Sequence, residues 1–117
     1  MDLIYNAVTI KPAVIQNRFY AAARYDREIR AFCTDHEITY QSFWTLTANP
    51  QVLAHRAVRE LASKHRRTPA QILFRYLTQN GIVPLTGTRS ETHMREDLGI
   101  FEFELSESER GAMDALF

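Results

Sequence analysis

Apolar and polar positions along this chain follow two rhythms, and the rhythm switches about once per element. Val14 to Tyr20 is a β-branched and aromatic run, and Pro12 just before it suits the start of a strand. Asp26 to His36 changes period. Ile29, Phe32 and Cys33 fall at i, i+3 and i+4, the stripe of a half-buried helix. Ile38 to Trp44 returns to the strand pattern. Ala48-Asn49-Pro50 then interrupts the chain, and Val58, Leu61 and Ala62 mark one face of a helix from about Val52 to Lys64.

Capping signals punctuate the second half. Thr68 can cap the first orphan N–H groups of a helix whose first position, Pro69, needs no donor. Ile72, Leu73, Tyr76 and Leu77 give its apolar face, and Gly81 stands where a left-handed C-cap belongs. Ile82 to Leu85 reads as a third, short strand. Thr88 with Glu91, and Ser106 with Glu109, have capping-box spacing and predict helices toward Leu98 and Leu116. Strands alternating with helices imply right-handed crossovers and a parallel sheet. A small three-layer α/β domain and part of a barrel both satisfy that order.

Composition narrows the class. The 117 residues predict a single domain covering 1–117, with 45% hydrophobic and 24% charged residues. Lys and Arg (14) balance Asp and Glu (14), so no global field draws the chain toward nucleic acid or an anionic membrane. The single cysteine, Cys33, fits a reducing compartment and sits on an apolar stripe, where packing is expected. No apolar run nears the ~20 residues of a membrane span, and the first residues lack a signal-peptide profile. A cytoplasmic protein is expected. His36, between Asp35 and Glu37, is expected at an exposed helix end. His55 and His65 are expected on a polar helix face without partner ligands, so no metal site is expected. His65-Arg66-Arg67 is too short for a nucleic-acid patch.

Five segments, in order, resemble the aldo-keto reductase family from about Lys11 to Met113. Lys11-Pro12-Ala13-Val14-Ile15-Gln16-Asn17 is similar to its sixth strand, and Tyr40-Gln41-Ser42-Phe43-Trp44-Thr45-Leu46 to its seventh strand and following loop. Thr68 to Tyr76 with Gly81-Ile82-Val83-Pro84 resembles its seventh helix and eighth strand. Thr86-Gly87-Thr88-Arg89-Ser90 through Glu96-Asp97 resembles its last cofactor loop and helix, and Phe101 to Ser106 the approach to its final helix. The resemblance implies the last three strands of a (β/α)8 TIM barrel.

It also implies an NADP(H) site and a small carbonyl substrate. Gln16 falls on the amide that holds the nicotinamide carboxamide, and Phe43 on the aromatic that stacks on the nicotinamide ring. Trp44, Thr45 and Leu46 fall on the loop near the pyrophosphate, and Thr86, Gly87 and Thr88 on the loop near the adenosine phosphate. Arg89 suits a 2′-phosphate, favouring NADP over NAD. Glu96 and Asp97 fall near the adenine positions. Two departures stand out. Trp44-Thr45-Leu46-Thr47 replaces the family's Ser-Pro-Leu-Gly, and His93 replaces a basic residue.

The family's Asp, Tyr, Lys and His catalytic group lies on its first four strands, ahead of the segment matched here. A full barrel needs roughly 250 residues, so this chain corresponds to a truncated barrel. Val14, Gln16 and Arg18 share one face of the first strand, and Thr39, Gln41 and Phe43 one face of the second. That face corresponds to the barrel interior, and burial by self-association into a dimer or by a complementing barrel fragment is expected. Arg18 and Tyr20, at the C-terminal end of the first strand, are candidates for any new chemistry. Three functions follow: an NADP(H)-dependent oxidoreductase, a cofactor-free isomerase or cyclase with a pocket lined by Tyr20, Gln41, Phe43 and Trp44, or a non-catalytic subunit.

Overall fold

The computed structural model describes residues 2–117. Its elements are α1 (Asp2–Ala7), β1 (Val14–Arg18), α2 (Arg27–Asp35), β2 (Thr39–Phe43), α3 (Pro50–Leu53), α4 (Arg56–His65), α5 (Pro69–Gln79), β3 (Ile82–Pro84), α6 (Glu91–Leu98) and α7 (Glu107–Asp114). Short 3-10 turns occupy Ala21–Asp26 and Gly99–Glu102.

The strands form one parallel sheet in the order β1-β2-β3. Gln16 pairs with Gln41, and Gln41 with Val83, which fixes the faces. Tyr40, Ser42 and Ile82 point toward the helices and are buried. On the other face Val14, Gln16, Arg18, Thr39 and Val83 are exposed, and Gln41 and Phe43 are half-buried. The sheet is therefore an open arc, helix-covered on one side, as an excised part of a barrel should be.

The core lies between sheet and helices. α5 is its largest single contributor: Ile72, Leu73, Tyr76 and Leu77 are all buried. Burying each such apolar side chain contributes roughly 1.5–3 kcal/mol. Thr68 and Gln71 close a reciprocal capping box at its start. At its end Gly81 takes φ +76, a conformation glycine adopts without Cβ strain. Ser106 and Glu109 cap α7 in the same reciprocal way. Cys33 is buried.

Several expectations need correction. The helix expected over Val52 to Lys64 is two helices, because the His55 ring nitrogen accepts the Ala57 N–H and restarts the chain as α4. Thr88 and Glu91 do not form a capping box. Ser90 caps α6 by accepting the His93 N–H, while Thr88 accepts the Ser90 N–H and holds the loop outside the helix. The first strand ends at Arg18 rather than Tyr20, since Phe19 turns into the core. Arg24, Tyr25 and Asp26 then take left-handed φ values of 54, 53 and 52, so the next helix starts after Asp26. Tyr40 donates to Asp26 at 2.6 Å and Arg30 to the Tyr25 carbonyl at 2.7 Å, contacts that hold this strained segment.

The histidines also differ. His36 is half-buried, stacked on Phe32 with ring centroids 4.0 Å apart. His65, expected on a polar helix face, is half-buried, its Nε2 2.9 Å from Glu109 Oε2, joining α4 to α7. α1 had no sequence counterpart; it docks through Tyr5 against Phe32 and His36.

Candidate functional site

The C-terminal ends of the three strands lie together, and the loops leaving them carry most candidate residues. The side chain of Asn49, fully buried, ties two of these loops together. Its Nδ2 donates to the Phe19 carbonyl at 2.7 Å and the Thr45 carbonyl at 2.9 Å. Beneath it, the Ser42 and Thr45 hydroxyls are 2.8 Å apart and buried. Trp44 is left outside this knot, 54% exposed and at φ +57. The Arg18 guanidinium lies 4.4 Å from the centroid of its indole and 5.8 Å from that of Tyr20. On the open face below, Gln16 donates to Gln41 at 3.3 Å.

A groove of about 390 Å³ opens beside this sheet end, lined by Leu46, Thr68, Gly87, Thr88, His93, Glu96 and Asp97 among others. Gln71 sets one wall. After closing its capping box, its Nε2 donates to the Glu96 carbonyl at 2.9 Å, fixing the end of α6 against the start of α5. Burial raises the pKa of Asp97, a shift opposed by the Thr86 hydroxyl and by nearby His93. Arg89 is exposed and has no acidic partner within 4 Å among the described residues.

The structure thus gathers Leu46, Gly87, Thr88, Glu96 and Asp97 in one groove, with Thr86 and Arg89 in the adjoining loop. Gln16 and Phe43 sit on the open sheet face, and Trp44 at its upper end. Thr45 faces inward, so its hydroxyl serves the loop rather than the surface. The Arg18 guanidinium lies near both the Tyr20 and the Trp44 rings. Gln41, Phe43 and Trp44 line an exposed sheet face open on one side. Sequence patterning missed Asn49, visible only as part of a chain break, and the second role of Gln71. No cluster of three His, Cys, Asp or Glu side chains that could hold a metal occurs among the described residues, and no described helix is long and apolar enough to cross a membrane.

Two buried tyrosines, Tyr40 and Tyr76, are each bonded to a carboxylate on the helix side of the sheet. Burial first, then the hydrogen bond to Asp26, pushes the Tyr40 hydroxyl far above its ordinary pKa. Tyr76, bonded to Asp114, is raised for the same two reasons.

Comparisons with known proteins bear on this arrangement. The family model described as the aldo/keto reductase family matches residues 48–117. Glyoxal reductase of Bacillus subtilis is 31% identical over 107 residues, 92% of this chain and 38% of that protein. The 9,11-endoperoxide prostaglandin H2 reductase of Trypanosoma cruzi is 27% identical over 97% of this chain and 40% of its own length. A Gox0644 variant in complex with NADPH superimposes with a TM-score of 0.86 at 28% identity, covering 98% of this chain and 42% of that one. The aldose reductase of Schistosoma japonicum gives a TM-score of 0.81 at 26% identity, covering 98% and 37%. This chain thus spans about 40% of the length of the curated relatives it matches.

Proposed function

The chain belongs to the aldo/keto reductase family, and from that premise we propose that it is the cofactor-holding part of an NADP(H)-dependent oxidoreductase acting on a small carbonyl compound. The groove of about 390 Å³ carries this reading, because it draws Leu46 from one strand-end loop together with Gly87, Thr88, Glu96 and Asp97 from another. Thr86, Gly87 and Thr88 precede the start of α6, where the helix dipole attracts a phosphate. Arg89 offers a planar fork to a 2′-phosphate. Glu96 and Asp97 receive the adenine, and Gln16 grips the nicotinamide carboxamide over Phe43. When bound, the cofactor supplies the hydride. The lone buried thiol of Cys33 agrees with a cytoplasmic setting.

The proton-donating side comes from elsewhere. The open face carries Gln16, Gln41 and Arg18 beside Val14, Thr39, Phe43 and Val83. Two copies closing head to tail would make a ring of six strands, too narrow to hold two sets of these long polar side chains. An eight-stranded barrel leaves them room at its mouth. The occupant of the face is therefore a segment bearing the remaining barrel strands, not a second copy. The catalytic tyrosine and its partners lie on that segment.

Titration of the chain with NADPH and NADH, followed by cofactor fluorescence, tests the reading. Saturable NADPH binding is expected, preferred over NADH in the wild type and with the preference lost in Arg89→Gln. Absence of binding of either cofactor at any protein concentration overturns it.

A further inference from the structure

The geometry points to Arg18 as the group that receives the anionic end of the substrate, so that the carbonyl compounds taken by this site carry a carboxylate beside the reacting carbonyl. The inference rests on the reading of Phe43 and Gln16 as the nicotinamide side. Among the strand residues of the open face, Arg18 is the single charged one; the others are Val14, Gln16, Thr39, Gln41, Phe43 and Val83. No carboxylate lies within 4 Å of its guanidinium among the described residues. The one positive charge of the face therefore has no salt-bridge partner among the described residues.

Its position is held. The guanidinium sits 4.4 Å from the centroid of the Trp44 indole, a cation–π distance. Trp44 is itself fixed by an unusual backbone: a bulky residue at φ +57, a left-handed conformation that is strained for a residue with a Cβ. The Asn49 knot on Thr45 holds that conformation in place. Strain of this kind persists where surrounding structure overrides it, and it concentrates at binding sites. Here its product is an exposed aromatic plate that orients an arginine.

The placement suits a short substrate. Arg18 is the register partner of Phe43, about one strand spacing of ~4.8 Å away, and lies two residues from Gln16 on the same face, roughly 7 Å along the strand. A ring stacked on Phe43 and gripped by Gln16 would present its face within a small molecule's length of Arg18. A guanidinium stacked on an aromatic keeps its edge free, and that edge matches a carboxylate with two parallel hydrogen bonds. A 2-oxo acid, with carboxylate and carbonyl on adjacent carbons, fits both contacts.

Trp44 is the only tryptophan in the chain, so its emission reads this spot alone. The experiment titrates the full chain, in the presence of NADPH, with pyruvate and with its neutral isostere 2-oxopropanamide. Pyruvate is expected to shift Trp44 emission saturably, at a concentration about 10–100-fold below that needed for the amide. Arg18→Gln is expected to remove that preference, and Arg18→Lys, which keeps the charge but loses the planar stack, to recover part of it. Equal response to acid and amide, no response to either, or an Arg18→Gln variant that titrates like the wild type overturns the assignment. NADPH affinity of Arg18→Gln is the separating control. If it is unchanged, the cofactor reading stands whatever pyruvate does. A tenfold loss of NADPH affinity with pyruvate discrimination intact would move Arg18 to the cofactor pyrophosphate and likewise overturn the assignment.

Discussion

Replacing Asn49 with alanine should destabilise the chain far more than its small size suggests. The Asn49 amide is fully buried and gives both donor hydrogens away, to the Phe19 carbonyl at 2.7 Å and the Thr45 carbonyl at 2.9 Å. Neither oxygen accepts another hydrogen bond among the described residues. Alanine leaves two buried acceptors unpaired, each costing about 1–3 kcal/mol. The sum, roughly 2–6 kcal/mol, is a large share of the 5–15 kcal/mol that typically separates folded from unfolded domains. Urea unfolding followed by far-ultraviolet circular dichroism measures it, with the midpoint falling at unchanged slope. Asn49→Asp is the sharper control. It keeps the volume but turns donors into acceptors facing two carbonyls, so it should cost more than alanine. If both variants unfold within about 0.5 kcal/mol of the wild type, the range of an ordinary surface substitution, the loop knot is not what holds Trp44 and Phe43 in place.

Glu109 gives a pH signature. Burial opposes its ionisation, but the Ser106 backbone N–H, Lys64, His65 and the Ser106 hydroxyl outweigh burial and bring its pKa from 4.5 to about 2. A carboxylate with a depressed folded-state pKa contributes stability that is complete above its unfolded value and is lost as pH falls toward the folded one. The wild type should therefore lose more stability between pH 4.5 and 2 than Glu109→Gln; parallel stability–pH curves for the two would refute the assignment. Gly81→Ala should cost about 1 kcal/mol through backbone strain alone, since φ is +76 and a Cβ there meets nothing within 4 Å; thermal unfolding checks it. Without the complementing segment both sheet edges and the inner face are uncovered, so the isolated chain should associate non-specifically, without closing a ring, at micromolar concentration, and less so in Val83→Lys, where a charge is placed on the exposed face. Sedimentation showing a well-folded wild-type monomer would contradict the open-arc reading.

Periodicity found the three strands and most helices because each buries one face, and burial is what the alternation of residue types records. The cap at Thr68 and the capping box at Ser106 were legible because they are local, with every partner within three residues. Signals failed where the partner was distant or the residue type unusual. His55 caps a helix with a ring nitrogen, a role commonly filled by Ser, Thr, Asp or Asn. His65 looked solvent-facing along its own helix, and only the tertiary fold brings Glu109 to it across 44 residues. Asn49 read as part of a chain break because its acceptors lie 30 and 4 residues back, and only the first needs the fold to be seen. Of the site, Leu46, Gly87, Thr88, Glu96 and Asp97 were named from the family resemblance and are neighbours in space. The clamp of Arg18 on Trp44 could not be read in advance, since it depends on a left-handed φ that tryptophan rarely adopts.

The most direct test of the central claim uses Trp44 as donor and the reduced nicotinamide as acceptor. If the ring stacks on Phe43, one residue away, exciting Trp44 in the presence of NADPH should produce nicotinamide emission that saturates with cofactor and collapses in Phe43→Ala. NADPH bound without energy transfer from Trp44, or transfer undiminished in Phe43→Ala, would contradict the placement of the cofactor on this open face.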